Sequence, residues 1–481
     1  MLLIRSAKVV DGAGKPVYTA DVLIQGNKIA GIGYFPTQKV ETIIDGMGCY
    51  LTPGFIDIHT DSDHNLSLFT NPDQENYLSQ GVTTVVGGNC GSSLAPLLYG
   101  SLESVQKWGD INQINVDWHS LEEFFAILEK IKLGVNFGTL IGHSTIRRAL
   151  LGEQLRDLTD GELQIFKKIL ERALEDGALG FSTGLSYAHS HKTPYQEIKF
   201  LTELVKNYDG VYATHLRNES EELISSVWET LKISQETGVK TIISHFRPLL
   251  NNENNFQEAL KLINESRGNV GIDVYPADVS LVPIYKFLPG WAQNGGLGLM
   301  VDQLLDEQMT QRIIKDLIPL KKEDVTIASA PGNEFLVGKN IGQLAKDYGL
   351  KINEAMVRVM IATRLKALVF YKNINLDLVK ELLSHPMALI SSNSVLLKDK
   401  PFLKFLELTQ NTLSLEQAVQ KITFAPAQKF GIKNRGVVAV GNFADLVLLK
   451  ENKVEAVLVN GQVVVKDKVF QNVRAGEVIR H

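Results

Sequence analysis

The chain has 481 residues, 44% hydrophobic and 21% charged, with a net charge of −5 and a pI near 6.1. That is an ordinary globular composition, long enough for two or three domains or one large barrel with additions. No basic excess exists to neutralise phosphates, which excludes a general nucleic-acid binder. No apolar run approaches the roughly 18 to 20 residues of a membrane span. Cys49 and Cys90 are the only cysteines, so a disulfide framework is not expected and a reducing cytoplasm is.

In chain order, "MLLIRSAKVVDGAGKPVYTADVLIQGNKIAGIG" alternates apolar residues with Gly, Asn and Asp turns. It reads as a β-meander and lacks the continuous apolar centre of a signal peptide. Eight short apolar runs follow: "PGFIDIHT", "TTVVGGNCG", "FGTLIGHS", "ALGFSTGLSY", "VYATHLR", "TIISHFR", "VGIDVYP" and "MALISSNS". Amphipathic helical patterns such as "LEEFFAILEKI" and "LQIFKKILERALED" lie between them. Strands apolar on both faces that alternate with helices predict a parallel sheet. His59 to Cys90 spans 31 residues, while His215 to His245 and His245 to Tyr275 each span 30. That step is the one expected between neighbouring strands of a (β/α)8 TIM barrel.

The gap from Tyr275 to Asn393 is too long for one crossover and predicts an insertion subdomain over residues 281–340. Helices such as "NEAMVRVMIATRL" are then assigned to the barrel, which is expected over 52–280 and 341–425. After "ITFAPAQKFGI", short alternating strands return, and "VNGQ" is a two-residue hairpin signal. Residues 1–51 and 426–481 are therefore expected to pair into one small β-sandwich domain.

The active site of such a barrel lies at the C-terminal ends of its strands. The residues placed there are His59 with Asp61, Cys90, His143, Ser182 with Thr183, His215, His245, Tyr275 and Asn393. Thiolate, imidazole and carboxylate together suit a zinc-like ion, and an open coordination position would activate water. His64, His119, His189, His191, His385 and His481 lack that placement and read as surface or structural. The segment around His64 is about two residues longer than the pattern discussed next, so His64 could also reach the site.

Several motifs resemble the amidohydrolase superfamily: "PGFIDIHT" after a β-meander, "THLRNE", "ISH" and the late "GNFADLVLL". "GVTTVVGGNCG", "LIGHSTIR", "GALGFSTGLSY", "YATHLRNES", "ISHFRP", "DVYP", "LPGWAQNGG" and "VTIASAPGNEFLVGK" are similar, in order, to the D-aminoacylases, the N-acyl-D-amino-acid deacylases. The resemblance implies a zinc held by Cys90, His215 and His245. It also implies a His-x-His pair bounding a second, weaker metal position, and an aspartate base in a "GSDG"-like turn after the eighth strand. Here the pair has become His59-Thr60-Asp61, and the turn reads "ISSNS", which puts Asn393 at the aspartate position. An amide has no basic lone pair at neutral pH. The arginine-bearing loop that should follow is missing from "SSNSVLLKDKPFLKF", and Asp399 is the nearest later acid. Among substrate-contacting positions Tyr187 and Tyr275 match, and Arg247 stands where a lysine is usual.

Two functions are compatible with this pattern. One is a zinc-dependent amidohydrolase acting on small N-acyl amino acids, with one ion rather than two, and with Asp61 replacing the lost base. The other is a catalytically impaired descendant kept as a binding or assembly scaffold.

Overall fold

The computed structural model describes residues 1–99, 102, 105, 111, 114–152, 154–187, 189–293, 296–393 and 400–481. Eight parallel strands occupy the places of the eight apolar runs: Phe55–Asp57, Val82–Gly87, Asn136–Gly142, Gly180–Gly184, Val211–His215, Lys240–Ile243, Val270–Val274 and Ala388–Ile390. Neighbours in sequence are neighbours in the sheet, as in a (β/α)8 TIM barrel. The first and eighth strands are joined through the residues that follow them. Ser392 donates its backbone N–H and its hydroxyl to the Asp57 carboxylate (3.1 and 2.5 Å), and the Asn393 N–H donates to the His59 carbonyl (3.0 Å).

Helices cover the outside of the sheet. Leu121–Ile131 and Asp160–Glu175 begin at capping boxes built by Ser120 with Glu123 and Thr159 with Glu162. Each box satisfies two backbone donors that a helix start otherwise leaves open. The apolar stripes of these helices, including Phe124, Phe125, Phe166 and Leu170, pack in one core with the outer faces of the strands.

The two chain ends meet in a separate nine-stranded sheet, in which Leu446–Lys450 pairs antiparallel with Tyr50–Pro53. Val459 and Gln462 flank the tight turn read in "VNGQ". Leu51, Val22, Ile24, Leu446 and Leu458 share this unit's own core.

The inserted region also has its own core. Strand Val279–Pro283 pairs with Leu368–Lys372, which pairs with Val325–Ser329 in a three-stranded sheet. Met356, Val359 and Met360 of helix Ile352–Ala362 lie in that core, together with Ile284, Ile327 and Val369. Position 340 therefore falls inside a continuous core, and "NEAMVRVMIATRL" belongs to the inserted unit and not to the barrel wall. An amphipathic stripe shows that a helix is half-buried, but not which of two cores receives it. We place the inserted unit at about 279 to 372.

Candidate metal centre

The C-terminal ends of strands one, two, four, five, six and eight converge on one cavity of about 290 Å³. Its wall includes His59, Asp61, Cys90, Tyr187, His215, His245, Arg247 and Asn393, all expected from the sequence. Tyr275 is absent from the lining but shares a 3.2 Å hydrogen bond with Arg247 behind it. Three mouth residues turn elsewhere: His143 pairs with Glu197 (2.8 Å), Ser182 bonds the Gly91 N–H (3.0 Å), and Thr183 bonds Thr214 (2.8 Å).

Donor atoms of Cys90, His215 and His245 lie within 4.8 Å of one another, and all three residues are buried. Cys90 Sγ is 3.5 Å from His245 Nε2 and 3.5 Å from His59 Nε2. Two donors on a tetrahedral ion, bonded at about 2.3 and 2.0 Å, would stand about 3.5 Å apart. His215 also leaves its buried Nδ1 without a hydrogen-bond partner among the described residues. Burial alone would raise the Cys90 thiol, but the charges of His59 and His245 outweigh it and hold the thiol well below its usual range. His245 is pulled down by burial, yet Glu219 and Cys90 carry it up to about 9. A buried thiolate that depends on adjacent positive charge is a cradle for a cation, and this donor set fits zinc.

The sequence grouped five residues as ligands, and the structure separates them. His59 touches Cys90 but stands outside the three-donor cluster, with its Nδ1 2.5 Å from Asp273 Oδ2. Asp61 lines the cavity but pairs with His64, Oδ1 to Nδ1 at 3.2 Å. His64 is fully buried, bonded on its other side to the Ser92 carbonyl (3.0 Å), with Asp63 4.0 Å away. Burial lowers it, but Asp63 and Asp61 lift it to about 9. Asn393, at φ 49°, closes the wall. The loop expected to lack an arginine, residues 394–399 with Asp399, lies outside the described residues.

Several participants stand outside the residues expected from the sequence. Glu219 lies 3.4 Å from His215 Nε2, 3.0 Å from His245 Nδ1 and 2.7 Å from Arg247 Nη2, so one carboxylate braces both histidines and the arginine. Its place in "THLRNE", four residues after His215, was the available signal. Asp273, which fixes His59, also accepts the His245 N–H (3.1 Å). Such outer partners set the orientation of ligand imidazoles. Lys286 enters the cavity from the inserted unit, where neither spacing nor motif points to it.

Asp57, fully buried beneath the mouth, has a consequence for stability. Burial raises its carboxyl to about 6, against the bonds from Ser392 and the His59 N–H that pull it down. Its unfolded value is about 3.9. The protonated form therefore adds stability that is full below about pH 4 and is lost as pH rises through 6. Asp57→Asn keeps the shape and the acceptor for two N–H groups. Its stability relative to wild type is expected to improve between pH 4 and pH 7 by up to about 3 kcal/mol. Urea midpoints at the two pH values check this, and parallel shifts of both proteins would contradict it.

A parallel barrel with a Cys–His–His donor set at its mouth is an amidohydrolase arrangement. The chain belongs to the amidohydrolase family: models of that description match residues 42–220 and 309–464. It is 27% identical to the D-aminoacylase of Alcaligenes xylosoxydans xylosoxydans, over 99% of this chain and 97% of that one. It is also 27% identical to the N-acyl-D-aspartate deacylase of the same organism, over 93% and 85%. Among solved structures, the N-acyl-D-glutamate deacylase of Bordetella bronchiseptica, complexed with zinc and a phosphonate mimic of the tetrahedral intermediate, superposes with a TM-score of 0.83. That match has 26% identity and covers 100% of this chain and 99% of that one. A D-aminoacylase structure described by its binuclear metal centre, with one-metal activation and second-metal attenuation, gives 0.82 at 26% identity with the same coverage. The chain is thus homologous to hydrolases that act on amide C–N bonds, and these comparisons do not favour the scaffold reading.

Proposed function

We propose that this protein hydrolyses the amide bond of N-acyl D-amino acids or a closely related N-acyl compound, with a single zinc ion. The observation that carries the reading is the buried Cys90–His215–His245 donor set opening onto a cavity large enough for a small molecule. Zinc, when bound, polarises a carbonyl and brings the pKa of water toward about 7.

The remaining tasks fall to the chain's own groups. Asp61 takes up the proton of the attacking water, because Asn393 cannot, and His64 holds its carboxylate in place. His59, fixed by Asp273, stands beside Cys90 on the same wall and keeps that side of the cradle polar. Glu219 sets the ring orientations of His215 and His245. One ion is favoured because the two positions that would bound a second are otherwise engaged, His59 by Asp273 and Asp61 by His64.

No helix among the described residues is long and apolar enough to cross a membrane. The two cysteines are buried and unbridged, which supports a reducing, cytoplasmic setting.

The test is a panel of N-acetyl and longer N-acyl derivatives of D- and L-amino acids, incubated with zinc-loaded protein and read by release of free amine. The expected result is zinc-dependent release with preference for D-substrates. A zinc-loaded protein that releases nothing from any member sinks the proposal.

A further inference from the structure

Among the described residues, four charged side chains other than histidine line the cavity: Asp61, Glu219, Arg247 and Lys286. Three of them are already matched. Asp61 pairs with His64, and Arg247 and Glu219 pair with each other at 2.7 Å. Lys286 is different. It lies on the short 3-10 helix Ile284–Phe287 of the inserted unit and donates only to the Ser186 carbonyl, at 2.9 Å. Its ammonium also sits 5.2 Å from the centre of the Tyr187 ring. No carboxylate of the described residues is within ion-pair distance of it, and burial lowers it to about 8. A cation in a cavity wall with a carbonyl and a ring face for company is an incomplete arrangement, since such charges are normally paired.

The position of Lys286 says what completes it. Ser186 offers its carbonyl to Lys286 and its hydroxyl to His215 Nε2, at 2.7 Å, so one residue separates the ammonium from the donor cluster. In an N-acyl amino acid, three covalent bonds separate the α-carboxylate carbon from the amide carbonyl carbon, about 3 to 4 Å. The same cavity wall also carries the apolar side chains of Leu249, Leu281, Val282 and Pro283.

We infer that Lys286 is the anchor for the substrate's α-carboxylate, and that the site takes monoanionic N-acyl amino acids with apolar side chains. The inference rests on the amidohydrolase reading. It assigns to the inserted unit the carboxylate-holding task that the resemblance places on a loop arginine after strand eight. Among the described residues a second carboxylate on the substrate finds no second unmatched cation in the wall, so N-acyl aspartate and glutamate are expected to be poorer substrates than their apolar counterparts. The apolar quartet accepts the side chain instead, and specificity follows from one charge and one greasy wall.

The experiment compares N-acetyl-D-leucine with its carboxamide on zinc-loaded wild type, Lys286→Met and Lys286→Arg. Thermal midpoints confirm that each variant is folded. For Lys286→Met, kcat/KM on the carboxylate substrate falls on the order of 10- to 100-fold, mostly through KM, while the carboxamide changes less than about twofold. Lys286→Arg recovers part of the loss. In a second arm, calorimetry measures binding of N-acetyl-D-leucine to metal-free wild type and Lys286→Met, with the same weakening expected. Equal losses on both substrates, or an unchanged carboxylate preference, overturn the anchor and leave the hydrolase reading intact. If wild type turns over nothing yet the variant still binds the carboxylate more weakly, the anchor stands and the hydrolase reading falls.

Discussion

Cys90→Ala is expected to reduce turnover by at least about a thousandfold and to leave the purified protein with little bound zinc. The size follows from what the sulfur does. It is the one anionic donor in the cluster, and its charge is stabilised by His59 and His245 across 3.5 Å each. Removing it leaves two imidazoles, which bind a divalent ion far more weakly than a set with a thiolate. Loss of an outer partner of a ligand typically costs 10- to 100-fold in metal affinity or activity, and loss of the ligand itself exceeds that. Cys90 also sits at φ 52° with Gly91 beside it, packed so that a Cβ on Gly91 would come within 2.6 Å of the Gly184 nitrogen. Alanine fits the same backbone with one atom fewer, so the fold survives while the ion is lost. Zinc by atomic spectroscopy and amide hydrolysis on the same preparation check both halves. Full activity in a Cys90→Ala variant would remove the sulfur from the chemistry.

Asp61→Asn is expected to lower kcat by 10²- to 10⁴-fold, the usual range for loss of a positioned acid–base group, with zinc content unchanged. The substitution keeps the size of the side chain and removes the carboxylate. Wild-type Asp61 meets the three demands on a base. It borders the cavity, it is held by a buried imidazole 3.2 Å away, and among the described residues no other wall carboxylate lies free of the ligand histidines. Asn393 fails the first chemical requirement despite its position. Adding back Asn393→Asp to the Asp61→Asn protein tests whether an acid at the position the resemblance implies can serve as base, and partial recovery is the expected result. A parallel fall in zinc and activity in Asp61→Asn would make Asp61 a ligand and not a base.

The barrel was legible because parallel strands buried on both faces leave unbroken apolar runs, and because their 30-residue step aligns His59, Cys90, His215 and His245 at equivalent ends. That alignment groups the four as metal candidates, and the narrower set of Cys90, His215 and His245 is what the resemblance to D-aminoacylases implies. Other features were not legible, for identifiable physical reasons. Helix Ile352–Ala362 shows the same amphipathic stripe whichever core it faces, so the expected boundary at residue 340 falls short of the core that receives it. Glu219 and Lys286 are charged residues in loops or inserted segments, where pattern alone predicts solvent. His64 sits in a loop of unusual length, and only the folded backbone shows that it turns back on Asp61. Asp57, inside an apolar strand, gives no sign in the sequence that Ser392, 335 residues later, will cap it.

The proposed function requires one zinc ion in the Cys90–His215–His245 cradle to drive amide hydrolysis at this mouth. Titration of metal-free protein with zinc, following release of amine from N-acetyl-D-leucine, tests it most directly. Activity is predicted to rise from zero to a plateau at one equivalent and to gain nothing from a second. Full zinc occupancy without hydrolysis, or hydrolysis that persists without metal, would contradict it.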